Sequence, residues 1–240
     1  MGTIHMKVKS LIATSVLAAS AVASSVAMAE SPWSANIGVT SNYMWRGVTQ
    51  TTDQSAIQGG IDYANPNGFY AGTWASNVSW TDPIGYELDL YGGYGFDVGA
   101  TSWDVGYIYY GYPLTSNDSV AGTSDAAFGE AYVNFSWTWL GLGVAYQTNA
   151  ATDDPSVEES GNIYYYVSGD WEVGGVGLGA KVGQYTFKNW SAGDYTYAEV
   201  YLSKDDFTFS IAKNNAEEAE WGAGIDDPRI WVSWSKSFEL

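Results

Sequence analysis

Phe128-Gly129-Glu130-Ala131-Tyr132-Val133-Asn134-Phe135-Ser136-Trp137, then Thr138-Trp139, then Leu140-Gly141-Leu142-Gly143-Val144-Ala145-Tyr146 is the stretch that decides the fold. Ala131, Val133, Phe135 and Trp137 share one parity, and Phe128, Glu130, Tyr132 and Asn134 share the other. In the second run Leu140, Leu142, Val144 and Tyr146 keep the same spacing. Successive side chains of a strand point to opposite faces, so a period of two describes strands with one greasy and one wetter face. The two residues between the runs make them an antiparallel hairpin. Runs of about eight to twelve residues match a tilted strand crossing hydrocarbon.

The pattern recurs on both sides of this hairpin. Trp33, Ala35, Ile37, Val39 and Tyr43 alternate with Asn36, Gly38, Thr40 and Asn42, and Ile57, Ile61 and Tyr63 with Gln58, Gly60 and Asp62. Tyr70, Trp74, Val78 and Trp80 mark a third stretch; Tyr86, Leu88, Leu90 and Tyr94 a fourth; Trp103, Val105, Tyr107 and Tyr109 a fifth. After the opening hairpin come Ile163 to Trp171, Val176 to Val182, Ala198 to Leu202, Phe207 to Ile211, and Ile230 to Phe238. The count is twelve, an even number. Connections alternate between tight turns (65–68, 97–100, 138–139, 172–175, 204–205) and longer loops (46–54, 81–85, 111–125, 148–161, 188–194, 214–228).

An all-β, closed antiparallel transmembrane β-barrel is therefore expected, with short periplasmic turns, longer extracellular loops and both termini in the periplasm. Closure follows from the medium, since an unpaired backbone group in hydrocarbon costs several kcal/mol. A β-sandwich exported to the periplasm is the soluble alternative. It fits less well, because the second face of these strands carries Gly, Asn, Asp, Glu and Tyr, as a watered lumen would.

The ends agree with export. Lys7 and Lys9 precede an apolar run from Leu11 to Val26, and Ala27-Met28-Ala29 supplies a signal-peptidase pattern. The expected organisation is a cloning remnant at 1–5, a signal peptide at 6–29, one barrel domain at 30–238 and a second remnant at 239–240.

Composition narrows the function classes. The formal charge is -18, so nucleic acid is excluded as a partner for want of cations to neutralise phosphates. Twelve Trp and nineteen Tyr need a large apolar environment, with lipid the first candidate. Trp33, Trp45, Trp80, Trp103, Trp137, Trp139, Trp171 and Trp231 fall near strand ends, where aromatic girdles form. The chain has no Cys, and its one His, His5, precedes the barrel body. A Ser-His-Asp or Cys-His arrangement and an HExxH zinc site are thereby excluded, and no enzyme, metal or cofactor is expected. Glu87 and Asp89, two apart on one face, have a spacing that a glycosidase pair also shows, and nothing else supports that chemistry.

Parity assigns Asp62, Glu87, Asp89, Asp104, Glu130, Asp170 and Glu199 to the lumen, with Arg46 and Lys181 as the bases there. Either the two bases lock carboxylates into a network plugging a narrow barrel, or excess acid in a wet lumen favours cations. Arg46 is expected near the outer mouth, either paired with a carboxylate or facing Asp62, Glu87 or Asp89 across a constriction. Tyr91, Tyr110, Tyr132, Tyr164, Tyr166, Tyr197 and Tyr201 share the inward parity, as packing or as lining of a solute path. Two loops are acidic, one through Asp153, Asp154, Glu158 and Glu159, the other through Glu217, Glu218 and Glu220. Neither has EF-hand spacing. They are either solvated surface or sites for divalent cations that bridge lipopolysaccharide.

Ser41-Asn42-Tyr43-Met44-Trp45-Arg46-Gly47-Val48-Thr49-Gln50, together with Ile61-Asp62-Tyr63 and the stretch from Gly68 to Val78, resembles the TorF-type outer-membrane porin family of proteobacteria. Glu87-Leu88-Asp89-Leu90-Tyr91-Gly92-Gly93-Tyr94 and the closing Trp231-Val232-Ser233-Trp234-Ser235-Lys236-Ser237-Phe238 are similar to it as well. The resemblance implies an outer-membrane barrel conducting small polar solutes or ions, and it carries no selectivity residues. Glu239-Leu240 departs from it, following the terminal aromatic residue. With the acidic lumen this gives a weakly cation-preferring passive channel. The competing expectation is a non-conducting structural or adhesive barrel whose acidic loops bind divalent cations, lipopolysaccharide or a partner protein.

Overall fold

The computed structural model describes residues 31–80, 85–112, 126–150 and 160–240. The expected signal segment and the acids Asp153, Asp154, Glu158 and Glu159 lie outside the described residues. Twelve antiparallel strands close into a barrel: β1 (Trp33–Thr40), β4 (Ala56–Ala64), β5 (Phe69–Asn77), β6 (Tyr86–Val98), β7 (Thr101–Gly111), β8 (Phe128–Trp137), β9 (Leu140–Ala150), β10 (Ile163–Val173), β11 (Val176–Thr186), β12 (Tyr195–Lys204), β13 (Phe207–Asn214) and β14 (Arg229–Glu239). Each strand pairs with its chain neighbours, and β1 completes the ring against β14, with Ala35 opposite Phe238 and Val39 opposite Trp234. Glu239 takes part in that pairing, opposite Ser34. A two-stranded ribbon, β2 (Met44–Trp45) and β3 (Val48–Thr49), stands apart from the wall.

The alternation has become two environments. Ile37, Ile57, Leu90, Val133, Val144, Val167, Val200 and Phe209 point outward and are exposed. Exposed apolar positions on nearly every strand would aggregate in water but suit acyl chains. Trp33, Trp80, Trp137, Trp139 and Trp171 are also exposed, near strand ends, as girdle residues are.

The five short turns all lie at one end with both ends of the barrel strand order. Each contains a residue with positive φ, which lets a tight turn follow the right-handed twist of the strands. Gly68, Gly99, Gly174 and Gly175 supply it without steric cost, whereas Thr138 and Asp205 hold φ of 54° and 53° with side chains attached.

Several orientations differ from the sequence reading. Tyr70, Trp74 and Val78, which mark the third stretch, face the interior and are buried, and the outward parity of β5 is carried by Phe69, Ala71, Thr73 and Ala75. That strand has two aromatic residues, Tyr70 and Trp74, on the inner face and, after Phe69, small residues on the outer one, so hydrophobicity alone reads its faces backwards. β1 ends at Thr40, and the chain then turns inside, burying Tyr43 rather than continuing it along the outer face. Trp45 and Trp231 also point inward, not into a girdle: Trp45 packs against Tyr110, Phe128 and Tyr185, and Trp231 is buried beside Met44 and Ala212.

A test of the outward face uses depth. Val200 lies at the middle of β12 and Val173 beside the 174–175 turn, both exposed. V200R should cost about 2–4 kcal/mol of refolding free energy in lipid vesicles, and V173R about 0–1 kcal/mol. Equal small effects in denaturant titrations would refute a lipid-facing wall.

Candidate functional site

The loop expected at 46–54 is not an outer loop. Residues 41–55 fold into the barrel as a hairpin, β2 and β3 joined by Arg46 and Gly47. Both turn residues have positive φ, 49° and 80°, as a two-residue hairpin turn demands. Trp-Arg-Gly-Val is a legible signal for such a turn, since Gly in a two-residue link between apolar residues marks a hairpin. Gly47 is needed both for its positive φ and for its lack of a side chain. A Cβ there would lie 2.5 Å from Cβ of Tyr197. Its carbonyl also accepts a hydrogen bond of 2.8 Å from Asn214 Nδ2.

The base of the hairpin is tied by short polar links. Asn42 donates from Nδ2 to Asp53 Oδ1 at 2.7 Å and accepts at Oδ1 from Thr49 Oγ1 at 2.6 Å. Tyr43 N donates to Thr51 Oγ1 at 3.1 Å. Asp53 in turn pairs with Arg229 Nε at 2.7 Å, joining the returning strand of the segment to the start of β14.

The tip reaches the opposite wall. Arg46 donates from Nη1 and Nη2 to the two oxygens of Glu130 at 2.7 and 2.5 Å. Its Cζ lies 4.2, 4.0 and 5.1 Å from the ring centroids of Trp45, Tyr164 and Tyr185. Both partners are buried, with side-chain exposures of 3% and 1%. Burial is the largest influence on Arg46 and opposes its charge, but the charge and hydrogen bonds of Glu130 together with Tyr110 and Tyr185 hold the guanidinium above its ordinary value. Just beside Glu130 the ladder slips: Gly129 pairs with Asn149 but Glu130 with Gln147, leaving Thr148 as a bulge residue on β9. Such a bulge bends the strand and re-aims nearby side chains.

Glu87 and Asp89 lie on the neighbouring wall, 2% and 1% exposed. Glu87 accepts from Tyr43 at 3.1 Å and from Tyr112 at 3.4 Å. Burial and the Glu87 charge hold the Tyr43 phenol well above its ordinary value. Asp89 Oδ1 is buried without a hydrogen-bond partner. Every barrel strand turns at least one buried side chain inward in the half nearer the long loops, from Thr40 on β1 and Glu87 on β6 to Tyr185 on β11 and Trp231 on β14. That half of the lumen is filled.

Toward the short turns tyrosines, not bases, satisfy the acids. Asp62 accepts from Asn36 at 3.2 Å and closely from Tyr91. Asp104 accepts from Tyr70 at 2.6 Å and from Asn134 at 3.2 Å, and Tyr70 bonds closely with Tyr132. Asp170 is exposed near the lip of the barrel, bonded by Tyr201. Lys181 stands opposite Glu199 in the ladder, its Nζ 4.8 Å from the ring of Tyr166.

The structure therefore brings Arg46 to Glu130, and not to Asp62, Glu87 or Asp89. Inward residues missed by parity include Tyr43, Tyr185, Tyr195, Gln147 and Asn162, all buried around the hairpin. Most lie at strand ends or just beyond them, where alternation gives no guide. Among the loop acids, Glu218 accepts from Gly224 N, Glu220 accepts from Trp190 Nε1, and Glu217 precedes the single helical turn α1 (Glu218–Trp221). They do not converge, and among the described residues no group of three or more acids or histidines forms a metal-ligand set.

Solved structures with a similar fold include a porin. The chain superposes on the KdgM porin with a TM-score of 0.53 at 9% identity, covering 86% of this chain and 99% of that one. A membrane protein from a study of in-meso crystallisation gives 0.51 at 10% identity, covering 87% and 83%. The NanC porin gives 0.47 at 14% identity, covering 87% and 100%. At these identities the likeness establishes the fold alone. No curated protein matches the chain. The family model described as "Bacterial protein of unknown function (Gcw_chp)" matches residues 26–220, so the chain belongs to the Gcw_chp family.

Proposed function

We propose that this protein is an outer-membrane channel for passive diffusion of small polar solutes or ions, weakly cation-preferring, with its termini and short turns in the periplasm. The observation that carries it is a closed barrel, greasy outside and polar within, crossed by one inward hairpin whose tip pairs with the opposite wall through Arg46 and Glu130. A hairpin held at its tip by the Arg46–Glu130 fork, the Asn214 link to Gly47 and ring packing narrows the path without being part of the wall. Acids outnumber bases on the inner face, seven to two among the residues assigned there, which lowers the energy of cations and raises that of anions.

The packed half of the lumen favours a second reading: a non-conducting barrel whose acidic loops engage divalent cations, lipopolysaccharide or a partner protein. Refolded protein in planar bilayers separates the two. The channel gives stepwise currents in the wild type and larger steps in R46A; the sealed barrel gives none in either.

Three further outcomes follow from the hairpin and the lumen charge. E130Q leaves a buried guanidinium without its counter-charge and should lower stability by about 3–5 kcal/mol in denaturant titrations. G47V dislodges the same tip by steric conflict with Tyr197 and leaves every charge in place. Its conductance should therefore rise as that of R46A does, and an unchanged step size would show that the hairpin does not set the path. Neutralising the acids nearer the short turns, D62N with D104N, should move the reversal potential in a salt gradient toward that of a non-selective pore.

A further inference from the structure

The surroundings of Arg46 have the parts of a ligand site, and the chain's own guanidinium fills it. Glu130 offers both oxygens to the two terminal nitrogens at 2.7 and 2.5 Å, a forked geometry that suits a planar guanidinium and not a compact ammonium. Tyr164 and Tyr185 present ring faces to the same group at 4.0 and 5.1 Å, the arrangement by which aromatic walls hold cations. All three belong to the barrel wall, on β8, β10 and β11, whereas Arg46 and Trp45 arrive from elsewhere on the hairpin tip.

The wall would keep its recognition elements with the hairpin gone. It would also keep a buried carboxylate lacking its counter-charge, a costly state that any incoming cation relieves. Charge already runs in that direction. Glu87, Asp89 and Glu130 are each at most 2% exposed, Arg46 is the one base paired among them, and Asp89 Oδ1 is buried without a hydrogen-bond partner.

We propose that Glu130, Tyr164 and Tyr185 form a binding site for solutes bearing a guanidinium or similar planar cation, and that Arg46 is a resident stand-in which such a solute displaces. The proposal rests on the channel reading above for its role in transport, but the site itself is testable without conduction.

The test uses R46A, which vacates the cage. With methylguanidinium as probe, the bilayer current of R46A should be blocked at a concentration about tenfold lower than tetramethylammonium requires, a difference of about 1.4 kcal/mol in binding. The wild type, its cage filled, should need more probe than R46A, and R46A with E130Q should lose the selective block. In detergent, low millimolar methylguanidinium should raise the melting temperature of R46A and leave that of R46A/E130Q unchanged. If R46A does not refold, R46K serves both measurements, since its ammonium leaves the fork of Glu130 incompletely filled. Conduction with no preference for methylguanidinium, or a block and thermal shift that survive E130Q, would overturn the site. Absence of current in every variant, with the thermal shift present, would overturn the channel and leave the site standing.

Discussion

Completion of the backbone ladder between β1 and β14 is the constraint on which the other features depend. In water an edge strand can be solvated; against hydrocarbon it has no partner but another strand. Pairing Ser34 through Thr40 with Ser233 through Glu239 removes both edges at once. Once the ring is closed, the inside and outside of each strand are defined for the whole molecule. The period-two pattern then has only two destinations, and a charge that turned outward would meet acyl chains.

Closing the ring creates a second problem. A twelve-stranded barrel encloses more space than small side chains fill, and this chain fills the half nearer the long loops with aromatics, buried carboxylates and a hairpin of its own. Breaking one buried ion pair leaves a charge stranded, so Arg46 and Glu130 hold the hairpin more firmly than their net contribution to stability suggests. The hairpin is therefore placed by the wall. Asn214 grips the carbonyl of Gly47, Tyr197 crowds its Cα, and the bulge at Thr148 interrupts the ladder next to the carboxylate that receives the arginine.

The lower half is organised differently. There tyrosine hydroxyls cap Asp62, Asp104 and Asp170. Lys181 is the local base, opposite Glu199 in the ladder and close enough to Asp170 to interact with its charge. One end of the lumen is thus a packed cluster with one arginine for three buried acids, and the other is an acidic surface lined by phenols. In the channel proposed above, the first end would act by steric occupancy and the second by charge.

Alternation in the chain was sufficient to determine the strand count, the short turns and the outward positions on most strands, and it put Glu87, Asp89, Asp104 and Glu130 on the face that the barrel buries, because side-chain period is a local property of an extended backbone. It misled at β5, where Tyr70 and Trp74 lie inside and, after Phe69, small residues lie outside, since an aromatic ring suits a lumen as well as a girdle. It carried the first strand on to Tyr43 and gave 46–54 as an outer loop, whereas the strand period stops at Thr40 and residues 41–55 turn inward. Arg46 stood out as the one arginine before Arg229, but its partner was not legible. Which of several acids it meets depends on strands more than eighty residues away being carried around a ring into reach, and only the closed tertiary structure decides that.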